Sequence, residues 1–236
     1  MNTNPFDQIG RLIIVSGGYG AGKSECSIAL SLELKERSPA EPITLIDLDI
    51  VNPYFRSREA RSVLERHGIR VIGNSLGIDA GVDLPAIPAT VEPALSDAST
   101  RVVVDLGGDP VGARVLRRFR PSVPTEDTTL LYVFNRYREY GASIERTTEM
   151  LRAIENTVGL EVSGIVNNSH LLSETTCDVI VEGDRVCRDV AERLGLPVLF
   201  RFAVPSVLRR CPVELGGYPL AIRAALRKPW MDGDGG

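Results

Sequence analysis

The sequence predicts a three-layer α/β fold, doubly wound around a mostly parallel sheet. Three observations carry this reading. Short apolar runs alternate with longer segments of helical period from end to end. Several runs are rich in Val, Ile and Leu and lack polar alternation, the pattern of strands covered on both faces. The length of 236 residues, with 43% apolar and 25% charged side chains, suits one globular domain rather than a disordered or fibrous chain. A single domain is therefore expected over 1–236, with residues 1–9 and 229–236 as flexible tails.

The strands are expected at Arg11–Ser16, Ile43–Asp47, Arg70–Gly73, Arg101–Leu106, Thr129–Phe134, Val162–Asn167 and Val198–Phe202. A helix-compatible run, Glu25–Arg37, follows the first. In Ser143–Val158 the residues Ile144, Thr147, Leu151, Ile154 and Val158 share one helical face. Ser57–His67 and Asp184–Leu194 read as helices stopped by Gly68 and Gly195. Asn74–Val91, with several Gly and Pro, reads as a long connection.

Composition narrows the function. Lys+Arg is 27 against 31 Asp+Glu, a net charge of −4, which lacks the basic footprint of a general nucleic-acid binder. No apolar run approaches the ~18 residues of a membrane helix, and Met1–Gly10 has no apolar signal region. Cys26, Cys177, Cys187 and Cys211 stand far apart with no CxxC pair. Reduced thiols in a cytoplasmic chain are expected, and a zinc site is not.

The strongest chemical signal is Gly17-Gly18-Tyr19-Gly20-Ala21-Gly22-Lys23-Ser24, directly after the apolar run Leu12–Val15 and before a helix. It fits the phosphate-loop pattern G-x-x-x-x-G-K-[ST] in the context that pattern demands. Glycines let successive N–H groups turn inward toward phosphate oxygens, and the next helix adds positive charge at its N-terminus. Gly18, Tyr19, Gly20, Ala21, Gly22, Lys23, Ser24 and Glu25 are the expected nucleotide contacts. Lys23 would reach the β- and γ-phosphates, and the Ser24 hydroxyl would ligate Mg²⁺.

Two apolar runs close on acids: Leu45-Ile46-Asp47-Leu48-Asp49 and Val102-Val103-Val104-Asp105-Leu106-Gly107-Gly108-Asp109. Acids at the carboxyl ends of parallel strands face the crevice where ligands bind. Asp105 is expected as the Walker B acid, Asp47 as a second Mg²⁺-side carboxylate, and Asp49 as the residue that orients the attacking water. Asp109 is read as a helix cap.

With these segments in place the chain resembles the MinD/ParA/CobQ/CobB group of P-loop ATPases. The D-x-D strand end, about 25 residues beyond the phosphate loop, and the V-D-x-G-G strand end both match that group. Gly164-Ile165-Val166-Asn167-Asn168 is similar to its G-x-x-x-N strand. Val204-Pro205-Ser206-Val207-Leu208-Arg209 and Gly217-Tyr218-Pro219-Leu220 are similar to its V-P-x…L-R…G-x-P-L segment. The resemblance implies the P-loop NTPase fold, with ATP and Mg²⁺ as cofactors. It also implies base contacts from Asn168, Pro205 and Ser206, and a homodimer. MinD and ParA proteins carry a further lysine five residues before the phosphate-loop lysine, where this chain has Gly18. The loop is thus an ordinary Walker A motif, which speaks against a lysine supplied in trans and against membrane positioning.

Asn52–Glu59 follows the D-x-D directly, where the group's first switch lies, and its Arg56 and Arg58 could steady transition-state charge. The leading expectation is a slow Mg²⁺-dependent ATPase that switches the Asp49–Arg58 segment for an unknown protein partner. Two alternatives stand beside it: an ATP-dependent ligase or kinase of the CobQ/CobB or dethiobiotin-synthetase type acting on a small carboxylate, and a non-catalytic nucleotide sensor. Guanine is disfavoured, because Asn167-Asn168-Ser169-His170 lacks the Lys and Asp of N-K-x-D.

Overall fold

In a computed structural model the described residues are 4–49, 57–73, 87–108, 110–211 and 214–222. The strands are β1 (Leu12–Gly17), β2 (Ile43–Leu48), β3 (Ile69–Ile72), β4 (Arg101–Leu106), β5 (Thr128–Phe134), β6 (Gly164–Asn167), β7 (Val198–Ala203) and β8 (Tyr218–Ala221). They form one sheet in the order β3-β2-β4-β1-β5-β6-β7-β8, and every neighbouring pair is parallel. The helices are α1 (Lys23–Arg37), α2 (Ser57–Arg66), α3 (Val91–Ser96), α4 (Pro110–Arg117), α5 (Ile144–Val158), α6 (Cys177–Leu194) and the single turn α7 (Pro205–Leu208).

Alternation within each strand divides the core in two. Ile13, Val15 and Leu45 pack with Leu30 and Leu34 of α1 and Leu64 of α2. Leu12, Ile14, Ile46 and Val104 point the other way, toward Leu95 of α3, Leu116 of α4, Leu151 and Ile154 of α5 and Val190 of α6. Helices therefore cover both faces of the expected doubly wound sheet, which is why its central strands read as unbroken apolar runs. Among the described residues no helix is long and apolar enough to cross a membrane.

Some details depart from the sequence reading, and the strands β3 and β6 start at Ile69 and Gly164 rather than Arg70 and Val162. The strand β8 was not anticipated; its Pro219 is tolerated because an edge strand has one unpaired side. The helix α6 begins at Cys177, seven residues before the expected Asp184, so Asp184 lies inside a helix rather than at its start. Gly183, inside α6, serves close packing: a Cβ there would stand 2.3 Å from the Ser169 Cβ.

Residues 4–9, expected in a loose tail, are packed. Pro5–Asp7 forms a 3-10 turn capped by the Asn4 side chain. The Phe6 ring meets Phe200 edge-on at 5.2 Å and Tyr218 at 5.5 Å, with the Arg37 guanidinium 4.0 Å from its centroid. The apolar Phe6 finds its surface on the far β7–β8 end of the sheet, a partner invisible in local sequence. Phe6→Ala is expected to cost about 2 kcal/mol in urea unfolding; an unchanged midpoint would show that the contact contributes nothing.

Candidate functional site

In a parallel sheet all carboxyl ends lie on one edge, and the connections there form the ligand crevice. The strand β1 ends at Gly17 (φ 152°), and the turn closes at Gly22 (φ 88°), which caps α1 in the left-handed conformation. Both values favour glycine. A Cβ on Gly17 would also lie 2.5 Å from the Val133 carbonyl oxygen. The turn delivers the N-terminus of a 15-residue helix to the crevice, a geometry suited to anions.

Lys23 is 7% exposed. Its Nζ donates to the Gly18 carbonyl at 3.3 Å, folding back across the loop. It also lies against Gly108, where an added Cβ would come within 2.2 Å of it. The ammonium group is thus held between the loop after β1 and the turn after β4. Glu25 turns back over the loop, its Oε2 3.7 Å from a notional Cβ on Gly22. Tyr19 stands out at 69% exposure.

The acids converge by register. Asp105 pairs with Asp47 across β4–β2 and with Val15 across β4–β1. Ser27 Oγ donates to Asp105 Oδ1 at 3.3 Å, and the Ser24 side chain beside the same carboxyl favours its charged form. Burial, reinforced by the neighbouring Asp47 charge, pushes the Asp105 carboxyl up to about 7. Burial likewise lifts Asp47 to about 6, against the pull of the Asp49 N–H, which donates to Asp47 Oδ1 at 3.1 Å. Asp49 Oδ1 lies 3.5 Å from a notional Cβ on Gly107, so its carboxylate faces the same turn as Lys23.

Two desolvated carboxylates beside a serine hydroxyl form a hard-oxygen donor set short of positive charge, and this fits Mg²⁺. Among the described residues no group of three His, Cys, Asp or Glu could hold a metal alone. The remaining ligands would have to be phosphate and water oxygens, as is usual for Mg²⁺.

Asn168 does something the sequence did not reveal. Its Nδ2 donates to the Ala21 carbonyl at 2.8 Å, tying β6 to the phosphate loop across 147 residues. Its Oδ1 is buried without a hydrogen-bond partner. One end of the amide clamps the loop and the other remains open as an acceptor. Asn168→Ala strands the buried Ala21 carbonyl and is expected to destabilise the fold by roughly 1–3 kcal/mol; thermal unfolding without nucleotide measures it. Pro205 and Ser206 form the exposed α7 at the carboxyl end of β7, on the same edge of the sheet.

The segment Asn135–Gly141 was missed. Because β5 neighbours β1, the connection after β5 overhangs the phosphate loop. The Tyr140 ring covers Gly18, and Arg138 Cδ and Nε lie 3.6 and 3.7 Å from a notional Cβ on Gly20. Asn135 Nδ2 and Arg138 Nε are buried without hydrogen-bond partners beside a recess lined by Gly18, Tyr19 and Ala21. Arg61 was also missed; its Nη1 donates to the Val71 carbonyl at 2.9 Å, and its charge opposes the rise of Asp47. Of the other residues considered, Arg56 and Asp109 lie outside the described residues, as does 74–86, and of Arg58 only the backbone is described.

No protein-family model and no curated protein matches the chain. Solved structures do. The signal recognition particle receptor FtsY from Elizabethkingia anophelis aligns with a TM-score of 0.52 at 18% identity, over 80% of this chain and 57% of that one. FtsY from Mycoplasma mycoides aligns with 0.52 at 15%, over 80% and 59%. A nucleotide-binding protein in complex with ADP from Archaeoglobus fulgidus aligns with 0.49 at 16%, over 87% and 86%. The chain spans less than two thirds of the length of either FtsY structure. Sheet topology and the FtsY alignments together define the class: a three-layer α/β protein with the P-loop NTPase fold.

Proposed function

We propose that the chain binds ATP with Mg²⁺ and hydrolyses it slowly, acting as a nucleotide switch for a protein partner. The observation that carries the reading is the buried Asp105, beside Ser24 and paired with Asp47 by register, at the foot of a phosphate loop closed by Lys23. A loop that merely turned the chain would have no reason to bury a lysine and Asp105 at one strand edge with the half-buried Asp47 beside them, because buried charge is costly without a ligand that uses it.

In this reading the loop amides and the α1 N-terminus hold the phosphates, and Lys23 leaves the Gly18 carbonyl to meet the β- and γ-phosphate oxygens. Ser24, Asp105 and Asp47 would hold Mg²⁺, which when bound supplies charge neutralisation for the phosphates. Asp49, facing the Gly107 turn, would orient the water. Asn168 Oδ1 would accept from an exocyclic amine, a donor that adenine carries. A second copy and a protein partner belong to the same proposal.

The experiment measures Mg²⁺-dependent phosphate release from ATP and GTP across protein concentrations, with binding of each nucleotide measured by calorimetry. Binding and turnover of ATP over GTP are expected, with a specific rate that rises as copies meet. No heat with either nucleotide would end the nucleotide reading. Tight binding without turnover at any concentration would remove hydrolysis.

A further inference from the structure

We propose that Cys177 and Cys211 form a reversible dithiol–disulfide site, oxidised by exchange with a small-molecule disulfide of the glutathione class. Cys177 opens α6, and its Sγ donates to the Arg210 carbonyl at 3.7 Å. The next residue is Cys211, so the Cys177 sulfur lies against the backbone that carries Cys211, and each thiol stands near enough to shift the other's charge. Residues 34 positions apart thus become neighbours at the start of α6. Neither is spent on packing: Cys26 and Cys187 lie in the two apolar cores, whereas Cys177 and Cys211 are partly exposed.

The pair sits where a bond would act on structure. Cys211 N and Arg210 N both donate to the Val207 carbonyl, at 3.2 and 2.9 Å, so Cys211 is fixed to α7. Beyond it the chain is already tied: Gly216 N donates to Asp184 Oδ1 at 2.9 Å, and Arg201 Nη1 donates to the Leu215 and Gly217 carbonyls at 2.7 Å each. Asp184 belongs to α6, so that helix already anchors one end of the segment. A Cys177–Cys211 bond would anchor the α7 end to the same helix.

The chemistry balances as two exchanges. Cys177 gives its proton to solvent, and its thiolate attacks one sulfur of the disulfide, releasing one thiolate that takes up a proton. Cys211 then loses its proton and attacks the Cys177 sulfur of the mixed disulfide, releasing the second thiol. Two protein thiols are oxidised, and one small disulfide is reduced to two thiols. Burial, with the Cys177 thiol beside it, pushes the Cys211 thiol up to about 12, which assigns the first attack to Cys177.

This site goes beyond the nucleotide reading, and its test does not depend on it. The folded full chain is incubated with oxidised glutathione, capped with iodoacetamide and digested without reductant. The expected product is a peptide pair joined through Cys177 and Cys211, released by dithiothreitol, with Cys26 and Cys187 unmodified. C211S should instead keep a glutathione adduct on Cys177, and C177S should give neither product. Hydrogen exchange of amides 204–211 should slow several-fold in the oxidised protein and not in oxidised C177S. A persistent glutathione adduct on wild-type Cys177, or joining only in denaturant, would overturn the site. Joined cysteines with unchanged exchange at 204–211 would overturn the tether.

Discussion

On the proposed function, Lys23→Ala is expected to lower ATP affinity by roughly 10- to 100-fold, the loss expected for a charged donor to phosphate, and to reduce phosphate release by at least about 100-fold. The side chain is buried between the Gly18 carbonyl and Gly108, so the folded loop already positions it. The variant keeps its fold, because the ammonium makes one hydrogen bond at 3.3 Å and no ion pair among the described residues. Circular dichroism and calorimetry on the same preparation separate the two effects. Wild-type ATP affinity in a folded Lys23→Ala protein would show that the buried ammonium does not meet the nucleotide.

Gly18→Lys has the second large effect, and it falls on stability. In MinD and ParA proteins a lysine occupies this position. Here an added Cβ would stand 2.9 Å from both Cβ and Cδ2 of Tyr140, closer than real contacts allow. Gly18 has no positive φ, so the obstacle is the ring rather than the backbone. Moving Tyr140 also disturbs Thr147, whose hydroxyl donates to the Tyr140 carbonyl at 2.6 Å. A cost of about 1–3 kcal/mol is expected, the usual penalty of overpacking, and Tyr140→Ala should recover part of it. A Gly18→Lys protein that melts like wild type would mean that Tyr140 yields freely and that this face of the loop is open. Gly18 is therefore matched to its neighbour as well as departing from the MinD/ParA pattern.

The parts of the site that were legible in sequence are those built from contiguous residues. Strand, glycine turn and helix occupy one stretch from Leu12 to Arg37, so motif and context appear together. Asp47 and Asp105 were legible because each closes an apolar run, and their register then places them side by side. The expected helix start at Asp184 falls inside α6, which begins at Cys177. The burial of Asp184 follows from Gly216, 32 residues away, which donates a backbone N–H to it.

What the sequence by itself determined is the class of fold and the place of the glycine loop at the end of the first strand, since both depend on periodicity and local turn chemistry. Only the tertiary structure decided what surrounds that loop. The order β4-β1-β5-β6 brings Tyr140 and Arg138 over the loop and Asn168 beneath Ala21. The α6–α7 contact brings Cys177 to Cys211. The physical reason is that strand order is set by the packing of whole faces, which sums weak apolar contacts over the chain and leaves no mark on any single segment.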